Sequence, residues 1–190
     1  MQPAIGESRF SDDAVTHQAM IDPREHRAAF LAAMRRVPAA VAIIATSGGG
    51  KRMGLAATAW TSLTADPPTV LACVNRNASA HALLLEARAF SINLLDRAHT
   101  ETVAIFSAQR GLDGDARFVD GAWIAGATGQ PMLEEAVVSF ECRLVGEHEQ
   151  GTHTLLIGEV AGVRVRADGD ALLYLDGDFA GAVRASRAVA

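Results

Sequence analysis

A chain of 190 residues that is 49% hydrophobic and carries a formal net charge of −5 is long enough for one domain with a real core. The acidic balance argues against nucleic acid as the main partner. No window holds the ~18 uninterrupted apolar residues that a membrane helix needs, so no membrane association is expected.

Cys73 and Cys142 both sit inside apolar runs, which suits reduced, buried thiols in a cytoplasmic protein better than a disulfide. Lys51 is the sole lysine and lies in a glycine-rich turn, which argues against Schiff-base chemistry. Residues 1–21 mix Gly, Ser, Asp, His and Gln without a charged-then-apolar signal pattern. They are expected to form a flexible N-terminal extension to a domain spanning 22–190.

Asp22-Pro23-Arg24-Glu25 starts a helix: Asp22 can cap, Pro23 fits the first helical position, and Glu25 completes a capping box. Phe30, Leu31, Met34 and Val37 then share one face at helical spacing, read as core packing, and Pro38 ends the helix. Residues 40–46 (AVAIIAT) read as a short buried strand. Residues 47–52 follow as a hairpin turn, and the next strand begins near Met53. The Gly-Gly-Gly-Lys piece lacks the spacing and the Ser/Thr of a phosphate loop.

Residues 56–81 (AATAWTSLTADPPTVLACVNRNASAH) are the most locally specific stretch. Thr58, Thr61, Ser62 and Thr64 place hydroxyls beside compact side chains, so a ligand can approach the main chain. Pro67-Pro68 excludes a helix and predicts extended chain. Residues 69–74 read as a buried strand that delivers Asn75 and Ser79 to its far end. Two polar clusters separated by one strand can face one flat, anionic ligand.

Asn77 or Ser79 is expected to cap a short helix reaching about Glu86. Residues 89–95 read as a strand, 100–108 as a second short helix, and 109–121 as a loop in which Arg117-Phe118 stands out. Residues 137–147 and 152–165 alternate as two long strands, with His148-Glu149-Gln150-Gly151 as the hairpin turn. Residues 171–175 add another strand. The sum is mainly β with short helices, which favours a barrel, and the absence of G-x-G-x-x-G argues against a Rossmann domain.

Few side chains are candidates for chemistry. His153 opens a strand beside a glycine; it is either a polar hairpin end or a ligand contact at the barrel rim. His148 lies an odd number of residues away, which predicts opposite faces. His81 either covers the sheet or turns toward a ligand. No zinc spacing and no Gly-x-Ser-x-Gly elbow occur. A polar, backbone-rich stretch with few acid–base groups suits a protein whose cofactor carries the reaction.

The chain resembles the flavin reductase-like family, the small reductase components that supply reduced flavin to two-component monooxygenases. The resemblance rests on Ala56-Ala57-Thr58-Ala59-Trp60-Thr61-Ser62-Leu63-Thr64-Ala65-Asp66-Pro67-Pro68 and on Val74-Asn75-Arg76-Asn77-Ala78-Ser79-Ala80-His81. Further pieces are Phe90-Ser91-Ile92-Asn93-Leu94-Leu95, Arg117-Phe118, Ser139-Phe140-Glu141-Cys142, Gly151-Thr152-His153 with Gly158, and Leu173-Tyr174. They run in family order over about residues 27–182.

That resemblance implies an FMN-binding split β-barrel, a homodimer, and hydride transfer from C4 of NADH or NADPH to N5 of FMN or FAD. It places Thr58, Ala59, Trp60, Thr61 and Ser62 along the flavin ring and upper chain. It sends Asn75 and Ser79, with His81 nearby, to the ribityl–phosphate portion, and makes Arg117 a phosphate partner. Tyr174 joins the flavin contacts, and His153 lies close to the nicotinamide as the catalytic-site histidine. Reduced flavin then passes to an oxygenase component. The competing readings are a flavoprotein with tightly held FMN that reduces a corrinoid or ferric complex, and a flavin-binding protein without turnover.

Overall fold

The computed structural model describes residues 22–182, so the extension expected over 1–21 lies outside the described residues. The chain divides into a unit that ends at Arg36 and one that begins at Val37. In the first, helix α1 spans Pro23–Arg35. The Asp22 side chain caps it, accepting from the Arg24 backbone N–H at 2.8 Å, and Glu25 and Arg35 sit at the ends that the helix dipole favours. The apolar face expected to be core is not: Phe30, Leu31 and Met34 are 59, 45 and 48% exposed. Helical periodicity shows that a face is apolar, not what covers it.

The second unit runs β1 (Ala39–Ala40), β2 (Ala42–Gly48), β3 (Lys51–Ala57), β4 (Trp60–Ala65), β5 (Pro68–Asn75), α2 (His81–Ala87) and β6 (Ala89–Leu94). Then come α3 (Thr100–Phe106), a 3-10 segment (Gly114–Val119), β7 (Trp123–Ala125), β8 (Pro131–Leu133), β9 (Val138–Gln150), β10 (His153–Val165), β11 (Leu172–Leu175) and β12 (Asp178–Gly181). Seven strands form one antiparallel sheet in the order β3-β2-β6-β9-β10-β5-β4. Its two edge strands, β3 and β4, are consecutive in the chain and joined by Thr58 and Ala59 alone. The sheet therefore curls until its edges meet at that corner, which makes a split β-barrel with short helices.

Alternation fills the barrel from every side. Ala42 and Ile44, Val70, Ala72 and Val74, Phe90 and Ile92, Cys142 and Leu144, and Leu156 form one buried cluster. A large aliphatic or aromatic side chain buried in this way stabilises by roughly 1.5–3 kcal/mol. The opposite face of β2 and β6 is covered by α3, the 3-10 segment and β7–β8, with Ile43, Leu95, Val103, Phe106, Phe118 and Leu133 as a second cluster. The Gly49–Gly50 turn, with φ of 58° and 75°, closes the β2–β3 hairpin with the left-handed backbone such a two-residue turn requires.

Several local expectations change. The double proline does not stay extended; Asp66-Pro67 turns the chain and Pro68 pairs with Ala65 at the start of β5. Helix α2 begins at His81 after Ala80, with no side-chain cap from Asn77 or Ser79. The 109–121 loop contains the 3-10 segment. The long hairpin turns at Gly151-Thr152, not over 148–151. His148 therefore lies within β9 opposite Leu155, so the register puts it on the same face as His153. No helix of the described residues is long and apolar enough to cross a membrane.

Candidate functional site

The site is organised by the corner between β3 and β4. Thr58 and Ala59 are exposed there, and the Ala59 carbonyl accepts from the Cys73 N–H at 2.8 Å. Two residues further along β5, Asn75 stands opposite His153 of β10. One strand over and one residue on, the His81 Nε2 lies 2.9 Å from the Thr154 hydroxyl. Thr58, Ala59, Asn75 and His153 thus follow a short arc across neighbouring strands, while His81, on α2, meets the buried Thr154 side chain on the face opposite His153.

Strand β4 is an edge, paired on one side with β5, so its outer main-chain groups remain for a ligand. Thr61 and Ser62 are exposed on it. Trp60 differs from the expectation: its indole donates to the Ala40 carbonyl at 3.1 Å and packs against Phe140 and the barrel cluster.

Small residues at the corner leave room beside it. Ala56, Ala57 and Thr58 line a cleft of about 260 Å³ with Ser107, Tyr174 and Phe179. Tyr174 and Phe179 face each other across the β11–β12 hairpin, with ring centroids 6.0 Å apart. A flat aromatic ligand suits a cleft with small residues on one side and an aromatic pair on the other. Phe179 escaped the sequence reading because its register partner Tyr174 is visible only once the hairpin is paired.

His153 is half-buried, and its Nδ1 lies 2.9 Å from the Thr152 hydroxyl. That contact constrains the ring's orientation, and among the described residues Nε2 makes no hydrogen bond. Asn75 is exposed and its side-chain carbonyl accepts from the Asn77 N–H at 2.9 Å, so the loop that carries exposed Ser79 is ordered by an Asx turn.

Arg117 is placed elsewhere. It is 8% exposed; its Nε donates to the Leu112 carbonyl at 2.9 Å and its Nη1 to the Gly54 carbonyl at 3.0 Å. Its guanidinium ties the 3-10 segment to β3. Beside it, Arg52 makes a two-point contact with Asp115 at 2.6 and 2.9 Å and lies over the Phe118 ring. The Arg52 hydrogen bond holds the Asp115 carboxyl below its ordinary range. Both arginines are structural clamps. Among the described residues, no group of His, Cys, Asp or Glu could hold a metal ion.

Comparison with known proteins bears on this geometry. The family model described as "Flavin reductase like domain" matches residues 34–182. A protein of Rhizobium rhizogenes named FMN reductase (NADH) RutF 2 is 37% identical over 162 residues, 85% of this chain and 92% of that one. FMN reductase (NADH) RutF of Agrobacterium fabrum is 40% identical over 144 residues, 76% of this chain and 82% of that one. Among solved structures, the styrene monooxygenase flavin reductase from Pseudomonas putida S12 is 26% identical with a TM-score of 0.73. That match covers 82% of this chain and 98% of that one. A curled antiparallel sheet, an edge strand with accessible main chain, and a family match over most of the domain agree: the chain belongs to the flavin reductase-like family.

Proposed function

We propose that the protein is an NADH-dependent FMN reductase that works as a homodimer and releases reduced flavin to a partner monooxygenase. The observation that carries this reading is the arc in which the β3–β4 corner, Asn75 and His153 occupy neighbouring strands, supported by the names of the relatives. The flavin supplies the acceptor for the hydride that leaves the reduced nicotinamide.

The chain's own residues position the two substrates. The small residues Ala56, Ala57 and Thr58, with Tyr174, receive the flat ring. The outward main-chain N–H groups of the 58–62 segment would stabilise negative charge on a bound flavin ring. Asn75, Ser79 and His81 lie toward the ribityl–phosphate end. Arg117 is left out, because its donors serve carbonyls of the fold. His153 would help to orient the nicotinamide, an effect of proximity and alignment.

The test is a steady-state comparison of NADH and NADPH against FMN, FAD and riboflavin, with the visible spectrum of the purified protein recorded first. The reading predicts a colourless protein, rapid turnover with NADH and FMN, and a lower kcat/KM with NADPH. A yellow protein that reduces an external acceptor without added flavin contradicts it.

A further inference from the structure

Thr58 and Ala59, the two residues of the β3–β4 corner, are pinned at both ends to one short piece of chain. On the β3 side, Ala57 pairs with Ala42. On the β4 side, the Trp60 indole N–H donates to the Ala40 carbonyl at 3.1 Å, a bond that spans 20 residues. Between these anchors lies Val41, which lines the same cleft as Ala56, Ala57, Thr58, Tyr174 and Phe179. Residues 39–42 also carry the opposite wall. Ala39 and Ala40 pair with Tyr174 and Leu173, the Val41 N–H donates to the Leu172 carbonyl at 2.9 Å, and Tyr174 stands opposite Phe179. The small-residue wall and the aromatic wall are thus both hung on residues 39–42.

The Trp60 ring is half-buried, packed on Phe140 with ring centroids 6.2 Å apart and against the barrel cluster. That packing fixes the ring, so its N–H meets Ala40 only when β4 leaves the corner along its present path. Without the indole donor, the β4 end of the corner keeps its main-chain bond from Cys73 to Ala59 and its pairing with β5, but it loses its tie to β1. A flat ligand would then have to order the corner as it binds, and that ordering cost appears as lost affinity. We propose that Trp60 is a positioning residue: through the Ala40 carbonyl it sets the spacing between the corner and the Tyr174–Phe179 wall, and so preorganises the cleft for the flavin ring. This rests on the reading of the protein as a flavin reductase. It gives Trp60 a role exercised through the fold, in place of the ring contact expected from the sequence.

The experiment measures flavin dissociation constants by fluorescence titration, and steady-state kinetics, for the wild type, W60F and W60L. R117M serves as a comparison destabilised away from the cleft, and circular dichroism confirms folding. The ligands are FMN, riboflavin and lumiflavin, which share the ring and differ in the ribityl–phosphate tail. Because the tie acts on the seat of the ring, W60F should weaken all three by one common factor, roughly three- to tenfold, the size of one neutral hydrogen bond. W60L, which also lacks the donor, should weaken all three by at least that factor, so either folded variant tests the tie. The KM for FMN should rise in step, while the KM for NADH and the kcat at saturating FMN change by less than about twofold. R117M should leave every flavin constant within about twofold of the wild-type value. Unchanged flavin constants in the folded variant, a shift confined to FMN, or an equal shift in R117M overturns the proposal. A wild type that reduces FMN with NADH while W60F binds flavin as the wild type does fails this inference alone. A wild type without NADH-dependent flavin reduction fails the reading beneath it.

Discussion

Gly158 lies on β10, facing the barrel interior five residues from His153. A Cβ added there would sit 2.5 Å from Phe90 Cζ and 2.9 Å from Cys142 Cβ. Carbon atoms pack comfortably at about 3.5–4.0 Å, so the Phe90 ring must move by about 1 Å. Phe90 is fully buried among Ile44, Ile92 and Leu156, and the backbone-near Cys142 Cβ cannot yield as a side-chain tip can. Gly158→Ala should therefore cost about 2–3 kcal/mol, read as a lower urea midpoint at unchanged slope or a Tm lower by about 4–12 °C. Phe90→Leu removes the ring edge that meets the new methyl. The double variant should then recover at least about 1 kcal/mol relative to the sum of the single changes. A Gly158→Ala protein within about 0.5 kcal/mol of the wild type, or strict additivity in the pair, refutes the packing described for the interior.

His153→Ala should raise the KM for NADH about tenfold while shifting that for FMN far less, since it removes a contact to one substrate; steady-state kinetics with each substrate varied decides this. Arg117→Met should destabilise by about 2 kcal/mol in urea, because the Leu112 and Gly54 carbonyls lose their donors, yet leave the FMN dissociation constant within twofold of the wild-type value, roughly the noise of a titration. Burial first, and the neighbouring Glu141 second, push the Cys142 thiol up to about 12. An unfolded thiol ionises near its ordinary 9.0, so this preference for the neutral form stabilises fully below about pH 9 and is lost as pH rises toward 12. Under native conditions at pH 8, thiol titration should modify Cys73 in preference, with Cys142 reacting after denaturation.

How far the sequence could be read depended on whether a feature was local. Strands such as β2, β6 and β10 declare themselves because each alternates or is wholly apolar. Their antiparallel pairing and the turn-rich connections then favour a barrel. Strand β4 does not, because an edge strand buries little, and its Thr and Ser positions look the same whether they face solvent or ligand. The apolar stripe of α1 was legible as a stripe, while its exposure was not.

The site divides in the same way. Asn75 and His153 were both singled out, yet their pairing depends on a hairpin whose turn lies at Gly151-Thr152, two residues later than the polar run suggested. Arg117 carried the right charge for a phosphate, but its bond to the Gly54 carbonyl spans 63 residues, a distance over which spacing is silent. The long-range partner of a charged side chain decides whether it binds a ligand or the fold.

The central claim is that this barrel holds a flavin where a reduced nicotinamide can deliver hydride to it. Anaerobic mixing of NADH and FMN with catalytic protein tests it most directly, with NADH deuterated at C4 as the comparison. The account predicts protein-dependent bleaching of one flavin for each NADH oxidised, slowed by deuterium whenever hydride transfer limits the first turnover. Bleaching no faster than in the protein-free mixture contradicts it.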